Sequence, residues 1–396
     1  MKIRNILLAF AFALATTGCA WVVVSANPAL LPPEIDLLQY WSGAKLFSTG
    51  GNPYSEVDMQ AAQGSFAQKE GTIRLWNPPV IFPFIAALTN LDFAAARLGW
   101  FLLGIFVLTA NVVILLTSYP CYIMRTTIRI PLYLVLLSFV PVVEMLSWGQ
   151  SGWILLVSVV GWWVLFREWG LTSFCAGFFL SVSAIKPHLI APLYAALVLS
   201  SFQLRQFRLA VGFTIGLALW AALPLYFRND IWSLYLHAMA HPPIYWRTPN
   251  LGSLLQGASG VHSLWMRHLP LGISLTLGTL LFVTPKFREL LTQRETFLYL
   301  VPLSLLVSPY GWLYDQVVIL PLFFELAYQA HKRKSAGTSL LLCALGSVFM
   351  LACLPSSLGQ ERGIFPLLVY SLVCSFGLWR VLSDMKPLPT RDSQSL

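Results

Sequence analysis

Charge is what this chain has least of. Asp, Glu, Lys and Arg together make up 10% of its 396 residues, against roughly 25% in an ordinary soluble domain. That is too little to coat a globule in water. Cysteine offers no framework either. Cys19, Cys121, Cys175, Cys343, Cys353 and Cys374 lie in or beside apolar runs, with no CxxC pair and no metal-ligand spacing, so neither a disulfide scaffold nor a zinc site is implied. No P-loop is present, which argues against ATP as an energy source, and nothing calls for a soluble cofactor. His237 and His241 stand four apart, but no third ligand accompanies them to make a metal site.

What the chain has instead is apolar mass: 57% of its side chains are hydrophobic and its mean hydropathy is +0.71. Lipid is the solvent this implies. A bilayer core about 30 Å thick takes roughly 20 apolar residues per helix, and about twelve such stretches can be counted. The expected fold is therefore all-α, a polytopic transmembrane helical bundle. Its spans run near 6–25, 97–117, 130–147, 151–166, 170–185, 187–201, 209–226, 269–284, 296–308, 317–330, 338–354 and 365–381. Residues 1–384 read as one integral membrane domain and 385–396 as a short cytoplasmic tail.

The net charge of +9 could mark a nucleic-acid surface, but the basic residues sit in short connectors between apolar runs, so no nucleic-acid partner is expected. Lys and Arg are retained on the cytoplasmic side, which makes the pattern one of topology. With both termini inside, about 16 of the 25 Lys and Arg fall on the cytoplasmic side, as the positive-inside bias requires. The N-terminus, with Lys2, Arg4 and an apolar run to Ser25, resembles a signal peptide, and Gly18-Cys19 a lipoprotein cleavage box. Thr16 stands where that box needs an aliphatic residue, so the segment reads as an uncleaved first helix. External loops then cover about 26–96 and 227–268. Within the first, residues 77–90 are apolar but short and interrupted by prolines, which suits an interfacial or re-entrant helix. Counting them as a crossing would move the Lys332 cluster outside.

On this topology the unusual polar groups gather on the external face, where ionisable groups at membrane depth suggest a site. Asp36 opens a helix-spaced segment, Glu34 to Phe47, whose apolar face would lie on the bilayer. It could equally do no more than favour a helix N-terminus through the dipole. Lys186, followed by Pro187 and His188, is either a snorkelling lysine at a helix end or a cation for an anionic group such as phosphate. Gln150 could satisfy only its own turn, Trp148 to Gly152, and Asp315 could merely pair with a neighbouring cation. The 15 tryptophans and 14 tyrosines fall mostly at span ends and in outer loops, as an interfacial belt would.

The order of motifs is recognisable. An aspartate within DLLQYWSGAKLFSTGGNPY, then WNPPVIFPF, a GQ turn, KPH and finally SPYGWLYDQ resembles the membrane glycosyltransferases of family 87, in the GT-C superfamily, over about residues 30–325. Asp36, Tyr40-Trp41 and Asn52-Pro53-Tyr54 match the first pattern. Near the late SP motif the family often carries histidines, whereas this chain has Tyr314 and Asp315. The resemblance implies transfer of a hexosyl group, mannosyl being the commonest in the family, from a polyprenyl-phosphate-linked donor to a lipid or glycan acceptor at the external face of the cell membrane. Asp36 would be the general base. Lys186, with His188 or Arg247, would stabilise the phosphate, and Tyr40, Tyr54, Asn77, Gln150, Tyr314 and Asp315 would position sugar or acceptor. A donor bearing a prenyl tail stays among the membrane lipids, so the pocket should open sideways to them. A transporter or lipid flippase is the competing class. Such proteins often show internal repeats and ionisable groups at the midplane, and neither is visible here.

Overall fold

The computed structural model describes residues 3–31, 36–119, 139–166, 171–205 and 207–332, and among them every regular element is helical. Expected spans beyond 333, the cytoplasmic tail and the first half of the span near 130–147 lie outside the described residues. Among the described residues, three helices are long and apolar enough to cross a membrane: Asn5–Ala26, Phe93–Ser118 and Arg208–Phe227. They turn Leu7, Phe12, Val22, Ile215 and Leu219 outward. Large aliphatic side chains facing away from the protein along whole helices are stable only where hydrocarbon replaces water.

The helices between these are shorter and better buried. Gly152–Leu165 has 14 residues, about 21 Å at 1.5 Å per residue, and nearly all of them are buried. Leu171–Ser181 passes into the 3-10 segment Val182–Ile185, and a second 3-10 segment, Pro187–Ile190, leads into Ala191–Gln203. Non-helical backbone at membrane depth is tolerated where protein or a cavity surrounds it, and both breaks lie beside the cavity described below. Glycines bring Leu171–Ser181 against Arg208–Phe227: a Cβ on Gly177 would collide with the Leu209 carbonyl, and one on Gly212 with the Phe174 carbonyl. Small residues four apart, Gly212 and Gly216, allow that close backbone approach.

The first expected loop folds as helices, and two of them differ from expectation. Leu37–Thr49 does not lie on its apolar face against the bilayer. It buries Leu37, Leu38, Tyr40 and Ala44 on the protein, with Tyr40 stacked on Trp100 and Phe47 on Phe82, because aromatic partners within the bundle satisfy that face better than lipid. Residues 79–90 form a broken helix, Pro79–Ile81, Phe82–Ile85 and Ala86–Asn90, packed on Leu37–Thr49 and Arg208–Phe227. The expected span near 269–284 begins earlier, as Leu264–Leu281. Ser263 caps it through the Met266 N–H at 3.4 Å, which draws Arg267 and His268 into the helix.

Candidate active site

The turn after Val140–Trp148 sets the geometry. Gly149 adopts φ +68°, a conformation that glycine takes without strain, and reverses the chain so that Gln150 faces inward. Gly152 then seats the next helix closely, since a Cβ there would stand 3.3 Å from the Tyr314 carbonyl oxygen. The Asp36 N–H donates to the Trp148 carbonyl at 3.0 Å, pinning the start of Leu37–Thr49 to this turn.

Around Gln150 a buried polar chain assembles. Its Nε2 donates to Asp36 Oδ2 at 2.6 Å, while its Oε1 accepts from the Tyr40 hydroxyl at 2.9 Å and from Lys186 Nζ at 3.2 Å. Lys186 Nζ also donates to Asp315 Oδ1 at 2.7 Å and lies 5.1 Å from the centre of the Tyr314 ring. The second oxygen of Asp315 accepts the Trp312 N–H at 3.0 Å. These partners answer the sequence alternatives. Asp36 occupies a helix N-cap position but makes no side-chain capping bond. Lys186 is buried and does not snorkel, Gln150 reaches beyond its own turn, and Asp315 does pair with a cation.

Burial pushes the Asp36 carboxyl above the usual carboxylate range. The Gln150 hydrogen bond and the Lys186 charge pull it part of the way back, and Asp315 adds repulsion. For Lys186, burial opposes the charge, but the attraction of Asp315, Tyr40 and Asp36 outweighs it and holds the ammonium above its ordinary value. Asp36 keeps Oδ1 free of hydrogen bonds among the described residues, whereas both oxygens of Asp315 are engaged.

These groups open onto a cavity of about 710 Å³. Of the residues singled out from sequence, Asp36, Tyr40, Asn77, Gln150, Lys186, His188, Tyr314 and Asp315 line it. Two do not. Tyr54 is buried outside the lining, and its hydroxyl donates to the Asn77 carbonyl at 2.9 Å. Asn77 Nδ2 in turn donates to the Ile185 carbonyl at 3.1 Å, so Tyr54 supports the backbone just before Lys186. Arg247 is exposed and lies outside the lining.

Sequence reasoning missed Arg74, His268 and Arg267. Arg74 lines the cavity, stacked 4.6 Å from the Trp76 ring, and only its place three residues before Asn77 hinted at this. His268 lines the cavity beside Tyr310. Arg267 is fully buried. Its guanidinium donates to the carbonyls of Pro309 at 2.7 Å, Ile244 at 3.1 Å and Trp246 at 2.6 Å, to Gln256 Oε1 at 2.9 Å and to Thr248 Oγ1 at 2.7 Å. Two ionisable residues beside an apolar run were the available signal.

An acid with one open oxygen, a cation held opposite it and a ring of tryptophan, tyrosine and histidine suit a polar ligand with flat apolar faces. The sequence model for glycosyltransferase family 87 matches residues 75–309, more than half of the chain. No curated protein and no solved structure matches it.

Proposed function

Because the chain belongs to glycosyltransferase family 87 and is thus a membrane glycosyltransferase, we propose that it transfers a hexosyl group, mannosyl first among candidates, from a polyprenyl-phosphate donor to a lipid or glycan acceptor. The reaction runs at the external end of a bundle of about twelve spans, with both termini cytoplasmic. The observation that carries this reading is the contrast between the two carboxylates: Asp36 presents an open oxygen to the cavity, while Asp315 is spent on Lys186 and a backbone N–H.

In this reading Asp36 takes the proton of the acceptor hydroxyl as its oxygen attacks the anomeric carbon, and the bond from that carbon to the phosphate oxygen breaks. The polyprenyl phosphate leaves as an anion and needs no proton, so one carboxylate suffices. A glycoside hydrolase, by contrast, needs two. Burial favours proton uptake by raising the basicity of Asp36. Lys186 and His188 both line the cavity; in this reading Lys186 is the fixed cation that meets the negative charge growing on the leaving phosphate, where such a charge is worth most, and His188 offers a ring N–H beside it. Tyr40, Asn77, Gln150, Tyr314 and Asp315 hold sugar, acceptor or one another in place, with Tyr54 acting through Asn77.

Membranes carrying the intact protein or its Asp36→Asn variant test the assignment with radiolabelled polyprenyl-phosphate-mannose and a panel of other polyprenyl-phosphate sugars. Label passing into lipid or polymer with the intact protein, and lost with the folded variant, is the expected result. Full transfer by Asp36→Asn sinks the base. No transfer from any donor sinks the donor class.

A further inference from the structure

The helix Leu251–Ser259 is inside out. Leu254 and Leu255 face away from the protein, 49% and 38% exposed, and only Leu251 at its start packs on the core, while Ser253 and Gln256 are 3% and 2% exposed. In water the burial preference would run the other way. The polar inner side is built around one cation: Gln256 and Thr248 accept from Arg267, and Ser253 Oγ accepts the Thr248 N–H at 3.1 Å. Neighbouring outward side chains continue the reversal, with Leu236, Tyr245, Val261 and Trp265 all exposed.

This surface runs unbroken into a stripe on Leu264–Leu281, where Trp265, Leu269, Ile273, Leu277 and Leu281 recur every fourth residue and all face outward. That spacing makes one helix face. The opposite side of the same segment walls the cavity through Tyr235, Met239, Pro242, Pro243, Trp246 and Leu264. Polar groups are present too, as His237, Arg247 and His262 are exposed, and at headgroup depth basic residues beside tyrosine and tryptophan are the usual company of an interfacial helix.

We propose that residues 231–265 are seated in the hydrocarbon and headgroup boundary of the membrane as a lipid-covered wall, and that the cavity opens to lipid past Leu264. The occupant of the outward face is membrane lipid. The seat in lipid follows from the reversed helix alone, whereas the doorway rests on the function proposed above. Residues 78–90, the other short apolar segment of the external loops, supply only Pro78 to the lining.

The full-length protein in phosphatidylcholine vesicles, with all six cysteines (Cys19, Cys121, Cys175, Cys343, Cys353 and Cys374) replaced by serine, tests the seat through nitroxide labels introduced singly at Tyr245, Leu255 and Ile273. At Tyr245 and Leu255 the label is expected to collide more often with oxygen than with a water-soluble nickel chelate, as at Ile273. Preference for the chelate, or shielding from both reagents, overturns the proposal, the second outcome meaning that protein covers the face. Trp265→Lys, on the outward face beside that opening and outside the lining, should raise KM for a long-chain polyprenyl-phosphate sugar roughly tenfold and leave a short-chain soluble donor unaffected. Equal effects on both remove the doorway. No transfer from any donor would count against the enzymatic reading and leave the label result to decide the seat.

Discussion

Two cations are buried at the cavity end of the protein, and the protein treats them differently. Lys186 is matched to a carboxylate, leans on an amide that also holds Asp36, and lines the cavity. Arg267 touches no carboxylate among the described residues; it is enclosed by three backbone carbonyls, a threonine hydroxyl and a glutamine oxygen. Neutral acceptors spread over five residues fix a loop in place and leave nothing to titrate. An ion pair beside an open carboxylate sets the charge of a ligand site. The difference separates a cation placed for chemistry from one placed for architecture, although both are basic residues at membrane depth.

The comparison can be broken in four ways. Asp36→Asn gives the largest expected effect, a loss of transfer of about a thousandfold, the middle of the range for removing a general base, with elution on gel filtration unchanged. Lys186→Met follows. Transfer should fall about a hundredfold, and thermal unfolding should show a loss of about 3 kcal/mol from the uncompensated Asp315. Adding Asp315→Asn should restore much of the stability and none of the rate. Arg267→Met should reverse that order. Five acceptors lose their donor, costing several kcal/mol, while the rate per folded molecule changes less than with Lys186→Met. If Arg267→Met instead lost transfer at unchanged stability, the distinction drawn here would fall.

The smallest effect is on pH. Asp36 must be ionised to act, and burial holds its carboxyl above the usual carboxylate range, so transfer should fail as pH drops through a value higher than that of an ordinary aspartate. Gln150→Leu removes the hydrogen bond that lowers this value and should move the acid limb to higher pH. Arg267→Met should leave the limb where it is. A profile with no acid limb near or above the carboxylate range would exclude Asp36 as the titrating group.

Much of the site was legible because it is made of rare residues in short motifs: Asp36, Gln150, Lys186 and Asp315 each stand out within apolar surroundings, and the cavity gathers them from distant parts of the chain. Their order and helix class followed from composition. What hydropathy could not tell is whether an apolar run meets lipid or protein. Gly152–Leu165 and Phe93–Ser118 read alike, yet the first is short and buried among its neighbours and the second is long and apolar enough to cross a membrane, with much of its surface facing outward. Arg247 and Arg267 pose the same difficulty on a smaller scale. Each closely follows a tryptophan, Trp246 or Trp265, and only the path of the chain between them decides which turns inward. Tyr54 was placed at the site by the family resemblance of Asn52-Pro53-Tyr54, whereas its hydroxyl donates to the Asn77 carbonyl from outside the lining.

The amide of Gln150 separates the two acids in a way that governs where protons can go. Its nitrogen faces Asp36 and its oxygen faces Lys186 and Tyr40, and turning it over would set oxygen against carboxylate and nitrogen against ammonium. A primary amide held in one orientation passes polarisation along the chain but neither gives up nor accepts a proton near neutral pH. It is an insulator. Asp36 and Asp315 therefore do not share a proton as paired aspartates in contact do, and a proton taken up by Asp36 must leave through the cavity, in step with the product that vacates it.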